Sequence, residues 1–393
     1  MPRRLVFSLF FLAIFLQSGA YGLTFMLPKL FAGFGANEKD VGTMLLITTV
    51  STLLAVYYAG HLSDRFGRLA TLGWACFSIA VALFLFGYSQ VLDWQIMLAS
   101  VLLGAGWGLT YSLGPVVLTR ITEASERVGN FALLSVFVMA GFGLSPVLAS
   151  VMEKQGLTTA DTFYVVALLC VVSGLIFFAL IKPIQSQVLD KEPEARSRLS
   201  LSAVTAIFRS KAVLPVTMVF LGASVFAGMS NFQTVFADAR GLDYSWFFLI
   251  YTITVIVCRV ILVRYKGGNT PYLTIAALQY VMAASVILFI VMGSNAGLYV
   301  LVAILFGIGY GASYPILVAM AANDANKDIV PQTLQFFALT YFIGIFGFPK
   351  IAGWLLVESS MLALLVLVSA MAFIEATMAL VRALGEKKSA KTN

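Results

Sequence analysis

The chain has 393 residues, of which 60% are hydrophobic and only 11% are charged, and its formal net charge is +7. A soluble protein carries roughly 25% charged residues, so this composition excludes a soluble globular protein and indicates an integral membrane protein. The apolar runs are continuous and do not alternate with period two, which argues against an outer-membrane barrel and predicts an all-α membrane protein.

Apolar runs separated by polar breaks predict twelve membrane-spanning helices, numbered spans 1 to 12. Arg3, Arg4 and the apolar run after them resemble a signal peptide, but the run continues to Leu27, so we expect span 1 to be retained. The predicted spans cover residues 5–28, 41–61, 69–88, 94–118, 128–151, 162–181, 212–236, 244–264, 271–292, 296–320, 332–355 and 359–381.

Positive charge is distributed unevenly between the two sides of the predicted bundle. If the N-terminus is cytoplasmic, nineteen lysines and arginines fall in cytoplasmic segments and four in outside segments, with Arg259 and Lys350 inside spans. Cytoplasmic loops of membrane proteins are enriched in lysine and arginine. We therefore expect a multi-pass protein of the cell inner (plasma) membrane with both termini in the cytoplasm.

A polar segment divides the chain nearly in half. Residues 182–211 are rich in charge and poor in apolar residues, which is typical of a solvated connection. We predict an N-terminal six-helix bundle over residues 1–181, a cytoplasmic linker over 182–211, and a C-terminal six-helix bundle over 212–393 that ends in a short cytoplasmic tail.

An internal repeat supports two pseudo-symmetric bundles. Pro115 in span 4 and Pro315 in span 10 each follow a Gly-X-Gly sequence and are 200 residues apart. Pro146 in span 5 and Pro349 in span 11 each follow two glycines and are 203 residues apart. Repeats of this kind are common in transporters, so the sequence predicts a transporter made of two related halves.

A charged segment follows span 2. Its terminal glycines are expected to permit a tight reversal of the chain, and the charges between them keep that reversal in water. The motif residues are Gly60, Leu62, Asp64, Arg65, Gly67 and Arg68.

This segment resembles the signature G-x-L-a-D-r-x-G-r of the major facilitator superfamily, with Ser63 in place of the usual alanine. The resemblance implies a gate latch in which Asp64 faces the start of span 11, near residues 331–333, where the helix dipole favours an anion. The second-half counterpart, residues 259–268, keeps basic residues but lacks the aspartate.

Span 5 resembles a second family motif, g-x-x-x-G-P-x-x-G-G, which is associated with exporters. Small residues allow a neighbouring helix to approach closely, and the proline bends the helix. The alternative to an export motif is that these residues form a plain packing face. A third family motif places an arginine linked to proton transfer in span 4, and residues 98–108 lack it. The span 5 matches are Gly141, Ser145, Pro146 and Ala149.

In the family, helices 1, 4, 7 and 10 line a central cavity near the midplane. An unpaired amide in hydrocarbon costs several kcal/mol, so Gln17 and Asn231 are the strongest single candidates, whereas packing is the alternative for each aromatic residue. Arg259 in span 8 either reaches the surface or faces the cavity, and Glu375 in span 12 is expected to pair or to face the lipid interface. The substrate-binding candidates are Gln17, Tyr21, Trp107, Tyr111, Asn231, Gln233, Tyr310, Tyr314 and Arg259.

The resemblance implies a secondary transporter that works by alternating access, similar to the drug and metabolite efflux branch. We expect a proton-coupled exporter of a neutral, zwitterionic or anionic metabolite or drug; the alternative is an importer or facilitator of organic anions or sugars. The expected partners are the small-molecule substrate, protons and the lipid bilayer, without nucleic acid. A receptor or membrane enzyme is disfavoured because the sequence has no nucleotide loop or Cys/His cluster and its single histidine is His61, so no cofactor or metal is expected.

Overall fold

The computed structural model describes residues 2–123, 126–186, 199–262 and 270–392. Within these ranges, twelve helices are long and apolar enough to span a membrane, which confirms the predicted all-α fold. They correspond in order to spans 1 to 12. The helices are α1 Arg3–Ala32, α2 Glu38–Phe66, α3 Arg68–Tyr88, α4 Trp94–Ile121, α5 Arg127–Lys154, α6 Thr159–Ala179, α7 Val213–Asn231, α8 Tyr244–Leu262, α9 Pro271–Val291, α10 Ala296–Asn323, α11 Lys327–Glu358 and α12 Met361–Thr392.

Contacts between the spans fall into two groups. Helix α1 packs on α5 and α6, α2 on α4, and α3 on α4 and α6, while α9 packs on α10 and α12, α8 on α10, and α7 on α10 and α12. Two helix pairs join the groups along much of their length, α5 with α8 and α2 with α11. Of the predicted linker, a short helix over Leu201–Phe208 is described, whereas residues 187–198 lie outside the described ranges.

The twelve spans follow one another in alternating directions, so α1 begins and α12 ends on the same face of the bundle. We call it the terminal face and the opposite one the distal face. The turn between α2 and α3 lies on the terminal face, and there the expected reversal at two glycines was wrong. Helix α2 continues through Gly60 to Phe66 because no helix breaker stands between them, and Gly67 alone reverses the chain with φ +83°.

Two spans are interrupted near the distal half of the bundle. Helix α1 contains a 3-10 turn over Leu23–Met26, just before Pro28, and α11 contains a π-helical segment over Ile343–Gly347, just before Pro349. Proline lacks the N–H that would continue the helical ladder and clashes with the preceding turn. Each proline therefore accounts for a local change of helical pitch, and the two interrupted helices meet across the halves as described below.

Candidate functional site

A cavity of about 420 Å³ lies between the two groups of helices. Its walls come from α1, α4 and α5 on one side and from α8, α10 and α11 on the other. The residues Ile14 and Gln17 of α1 line it and precede Tyr21, so it lies nearer the terminal face than Tyr21 does. Six predicted substrate-binding residues line it together: Gln17, Trp107, Tyr111, Arg259, Tyr310 and Tyr314.

Arg259 is the one charged residue among the described residues that line this cavity. Its side chain is 9% exposed, so the guanidinium is in the cavity wall rather than at the surface. Nη1 donates a hydrogen bond to the hydroxyl of Ser135 in α5, across the two halves, and Nε has no partner. Within the described ranges no carboxylate pairs with Arg259, which leaves hydrogen-bonding capacity for an anion.

Tyrosines form a second wall of the cavity. The hydroxyls of Tyr111 in α4 and Tyr314 in α10 are 2.8 Å apart and form a hydrogen bond between the halves. The Tyr341 ring in α11 lies 6.2 Å from that of Tyr111 and 5.2 Å from that of Tyr314, measured between centroids. The cavity therefore combines aromatic faces and phenolic hydroxyls with the cation of Arg259.

An aromatic plug, formed by Tyr21, Phe25, Phe226, Phe248 and Phe346, closes the bundle between the cavity and the distal face. Tyr21 of α1 lies 5.4 Å from Phe346 in the π-helical segment of α11. Phe25 stacks on Phe248 of α8 at 5.2 Å and meets Phe226 of α7 edge-on at 5.9 Å. Each of these contacts crosses the halves. Tyr21, predicted to bind substrate, thus contributes to the plug, and it contacts the cavity wall through Trp107, 5.1 Å away, and Phe142, 4.3 Å away.

Polar contacts at the distal face add to this closure. Lys154 of α5 pairs with Asp243 at 2.7 Å, and Tyr244 donates to Glu153 at 3.0 Å. Farther round the face, Lys39 of α2 pairs with Glu358 of α11. We call these contacts the distal latch. At the terminal face, Arg3 pairs with Glu126 within the first half and Arg382 pairs with Asp324 within the second.

Within the distal latch, the carboxyl of Asp243 has a lowered pKa. Partial burial favours its neutral form, but hydrogen bonds from Lys154 and Ser245 and the charge of Lys154 outweigh burial and hold the pKa of Asp243 below its ordinary 3.8. The backbone N–H of Ser245 donates to it at 2.9 Å, which places Asp243 at the start of α8. The latch carboxylate is therefore ionised at physiological pH.

Helix α5 is held closely on two sides by glycines. A β-carbon at Gly141 would lie 2.6 Å from the carbonyl oxygen of Phe15 and 2.7 Å from Cβ of Ser18, both in α1. A β-carbon at Gly143 would overlap the hydroxyl of Thr252 in α8. Gly141, in the predicted export motif, therefore serves contact within one half, and Gly143 allows the contact between halves.

Two amide candidates lie away from the cavity. Asn231 at the end of α7 is buried and donates to the carbonyl of Ala227 at 3.1 Å, and Gln233 donates to the hydroxyl of Tyr299 at 2.7 Å. Both belong to the distal part of the second half. Sequence position alone could not separate them from Gln17, because depth along a span does not reveal which way a side chain points.

Cavity residues that the sequence interpretation missed come mainly from α5 and α11. Ser135, the partner of Arg259, and Tyr341 both line the cavity. Neither helix was expected to contribute. The signal available in the sequence was the polar Ser135 within an otherwise apolar stretch of span 5.

Glu375 of α12 is buried within the second half, which agrees with the expected pairing rather than with lipid exposure. Oε1 accepts a 2.7 Å hydrogen bond from Gln279, which also donates to Ser313 at 3.0 Å. Gly222 makes room for the carboxyl, since a β-carbon there would lie 3.0 Å from both oxygens. Glu375 forms no ion pair within the described ranges, so the neutral acid is the form that this apolar site accommodates.

The signature segment lies beside a second cavity, of about 350 Å³, at the terminal face. Asp64 is exposed on the last turn of α2, and Arg120 of α4 and Gln185 line the same cavity. The predicted latch between Asp64 and the start of α11 stays a prediction. Residues 263–269 of the second-half counterpart lie outside the described ranges.

Comparison with known proteins assigns this architecture to a class. A profile of the Major Facilitator Superfamily matches residues 9–349. The crystal structure of a mutant of the peptide transporter POT in complex with sulfate superposes with a TM-score of 0.74 over 96% of this chain and 93% of that one, at 14% identity. The likeness to POT shows the fold alone.

Two curated relatives align over shorter stretches. A protein of Cupriavidus pinatubonensis (strain JMP 134 / LMG 1197) named "Probable 4-methylmuconolactone transporter" is 30% identical over 128 residues, which is 33% of this chain and 29% of that protein. The class B tetracycline resistance protein of Escherichia coli is 27% identical over 154 residues, which is 38% of this chain and 37% of that protein. The chain thus matches only about a third of the length of either relative.

Proposed function

Because the chain belongs to the Major Facilitator Superfamily, a family of transporters rather than enzymes, we propose that it is a secondary transporter that exports a small organic solute in exchange for protons. The observation that carries the proposal is the cavity between the halves, closed toward the distal face by the aromatic plug and the distal latch. Alternating access requires such a closure to form on one side and to open later in the cycle.

The electrostatics of the cavity favour a neutral, zwitterionic or anionic metabolite or drug. Among its described lining residues, the single charge belongs to Arg259 and carboxylates are absent. A cationic solute would be desolvated without a counter-charge, which is unfavourable in a low-dielectric site. An anion would meet the guanidinium instead.

We further propose that both termini face the cytoplasm of a cell inner (plasma) membrane, as the distribution of lysine and arginine favours. The distal face is then the outside, and the cavity lies on the cytoplasmic side of the plug. Solute would enter it from the cytoplasm, as export requires. Release to the outside would follow separation of the plug and the latch.

Export is favoured over import by two observations. The α5 residues Gly141, Ser145, Pro146 and Ala149 match the export-type motif, and one aligned relative is named a tetracycline resistance protein. The alternative is an importer or facilitator of organic anions or sugars on the same scaffold. Within that alternative, the guanidinium of Arg259 in the cavity wall favours organic anions over sugars as the solute.

A vesicle experiment separates these functions. Uptake of a metabolite panel is measured in inside-out and right-side-out vesicles that contain the chain, with and without a proton gradient. Export by antiport predicts accumulation in inside-out vesicles whose lumen is acidic, together with proton efflux, and its loss when an uncoupler collapses the gradient. Gradient-driven accumulation only in right-side-out vesicles, or uptake that ignores the gradient, would contradict proton-coupled export.

A further inference from the structure

We infer that the central cavity binds a monocarboxylate with a flat, unsaturated ring system, its carboxylate on Arg259 and Ser135 and its ring against the tyrosine wall. This inference rests on the proposed transport function and names its substrate class. It follows from three features of the cavity: its charge, its free hydrogen-bonding atoms and its aromatic faces.

The charge of the cavity limits the ligand to one negative charge. Among the described lining residues, Arg259 offers the only cationic group. One carboxylate would neutralise it. A second carboxylate on the same small ligand would be desolvated without a cation, and burial of an unpaired charge is strongly unfavourable. A dicarboxylate therefore fits this cavity poorly.

The free polar atoms at Arg259 fit a carboxylate. A guanidinium has five N–H donors in a planar fork that matches the two carboxylate oxygens. Nη1 of Arg259 is engaged with Ser135, whereas Nε is buried without a partner. Because the Ser135 oxygen accepts this bond, its O–H remains to donate. Arg259 and Ser135 together offer donors from both halves to one anion.

The aromatic residues of the cavity wall fit a flat ring better than a sugar or an alkyl chain. The rings of Trp107, Tyr111 and Tyr341 line the cavity, and aromatic faces pack preferentially on other π systems. A sugar would need a polar partner for each hydroxyl, but the hydroxyl of Thr110 is already bonded to its own backbone. Gln17 adds one buried amide oxygen without a partner, which can accept from a ring hydroxyl. A cavity of about 420 Å³ admits one or two fused rings.

An equilibrium binding experiment tests this inference apart from transport direction and proton coupling. The full chain in lipid nanodiscs is titrated with 2-naphthoate, its neutral isostere 2-naphthamide, the saturated decahydro-2-naphthoate, and the dianion 2,6-naphthalenedicarboxylate. A charge-assisted hydrogen bond is worth about ten-fold to a hundred-fold in affinity. We expect 2-naphthoate to bind at least about ten-fold more tightly than the amide and the dianion, and roughly two-fold to ten-fold more tightly than the saturated acid.

Variants locate the site. Arg259→Gln is expected to lower affinity for 2-naphthoate by at least about ten-fold and to abolish its advantage over 2-naphthamide. Arg209→Gln removes the same charge from an exposed position outside the cavity and serves as the matched control. If Arg259→Gln does not fold, Ser135→Ala tests the carboxylate contact and Tyr341→Leu the ring contact, each with weaker binding expected.

Equal binding of acid and amide, or affinity that is unchanged in Arg259→Gln or in both substitute variants, would overturn the inference. Tighter binding of the saturated acid or of the dianion would do the same. None of these results depends on a gradient. Failure of proton-coupled export in vesicles would leave the binding result intact, so the two failures can be told apart.

Discussion

The phenol of Tyr111 in α4 and the phenol of Tyr314 in α10 meet in a 2.8 Å hydrogen bond that joins the two halves of the bundle. Each tyrosine comes shortly before the proline that marks its copy of the internal repeat, Pro115 or Pro315. Both rings also line the central cavity. The bond must break if the halves separate there. Because both tyrosines line the cavity, a ligand that displaces either ring would also change the contact between the halves.

Removal of either hydroxyl is expected to weaken the same contact. Tyr111→Phe and Tyr314→Phe should each lower the free energy of unfolding by about 1 kcal/mol, and the double variant should lower it by no more than either alone. Denaturation in mixed micelles measures these values. Tyr57→Phe, at a tyrosine that is 61% exposed on α2, is the control and should change nothing. Fully additive losses would mean that the two hydroxyls act separately.

The contact of α5 with α8 is expected to depend on Gly143, and not on a glycine of α5 whose α-carbon faces open space. Gly143→Ala would place a methyl group on the hydroxyl of Thr252, so the halves could not close as they do here and transport should fall at least about ten-fold. Gly129→Ala is the matched control, because a β-carbon there meets nothing within 4 Å.

A second substitution checks the mechanism. Thr252→Ala removes the hydroxyl that the new methyl group would overlap, so it should restore part of the transport lost in Gly143→Ala. If Gly143→Ala transports at the wild-type rate, the close approach of α5 to α8 is not required for the cycle.

The distal latch should be insensitive to pH over the physiological range. The pKa of Asp243 is lower in the closed protein than its ordinary 3.8, so its stabilising effect is complete above pH 3.8 and is lost only as the pH falls through the lowered value. Asp243→Asn keeps an acceptor for Ser245 but removes the charge opposite Lys154. It should lower stability by up to about 1 kcal/mol, as exposed pairs do.

Thermal unfolding measured at pH 5 and at pH 8 tests whether the stabilising effect of Asp243 is independent of pH in this range. The difference between wild type and Asp243→Asn should be the same at both values. A difference present at pH 8 and gone at pH 5 would show that the carboxyl is protonated far above 3.8 and that the account of the latch is wrong.

Glu375→Gln should lower the stability of the protein less than Glu375→Ala does. Glu375→Gln keeps an oxygen to accept from Gln279 and adds no charge, so stability should change by less than about 1 kcal/mol. Glu375→Ala leaves a void and an unpaired amide, and should cost about 2–4 kcal/mol. Mixed-micelle denaturation compares the two. A loss with Gln as large as with Ala would indicate that the carboxyl is ionised in the native protein.

The spans could be predicted from sequence because hydrocarbon imposes a long apolar run on each one. Local features that depend on packing between helices could not be predicted from the sequence. The glycine at position 60 looked like a turn residue, yet α2 continues through it since a glycine without a breaker beside it costs only about 1 kcal/mol in a helix. The proline-linked changes of pitch in α1 and α11 likewise gave no periodic signal.

The candidate site was predictable in part for the same reason. Gln17 and Arg259 were found because polar and charged residues at mid-span are unusual, and Tyr111 was found because span 4 is one of the helices that line the cavity in the family. Asn231 was expected beside them, but its amide N–H donates to the carbonyl of Ala227 within the second half. Ser135 was missed because its role depends on contact with α8, and no pattern within span 5 encodes a partner from the other half.

The central claim is that the distal contacts between the halves must open during transport. A disulfide formed in Lys39→Cys/Glu358→Cys would tie α2 to α11 across the halves, where the native residues form an ion pair. Transport of the panel solute with the highest uptake is measured before oxidation, after oxidation and after reduction. Arg3→Cys/Glu126→Cys, a pair within the first half, is the matched control. The account predicts that oxidation stops transport only in the first pair and that reduction restores it; full transport with that cross-link formed would contradict alternating access at the distal face.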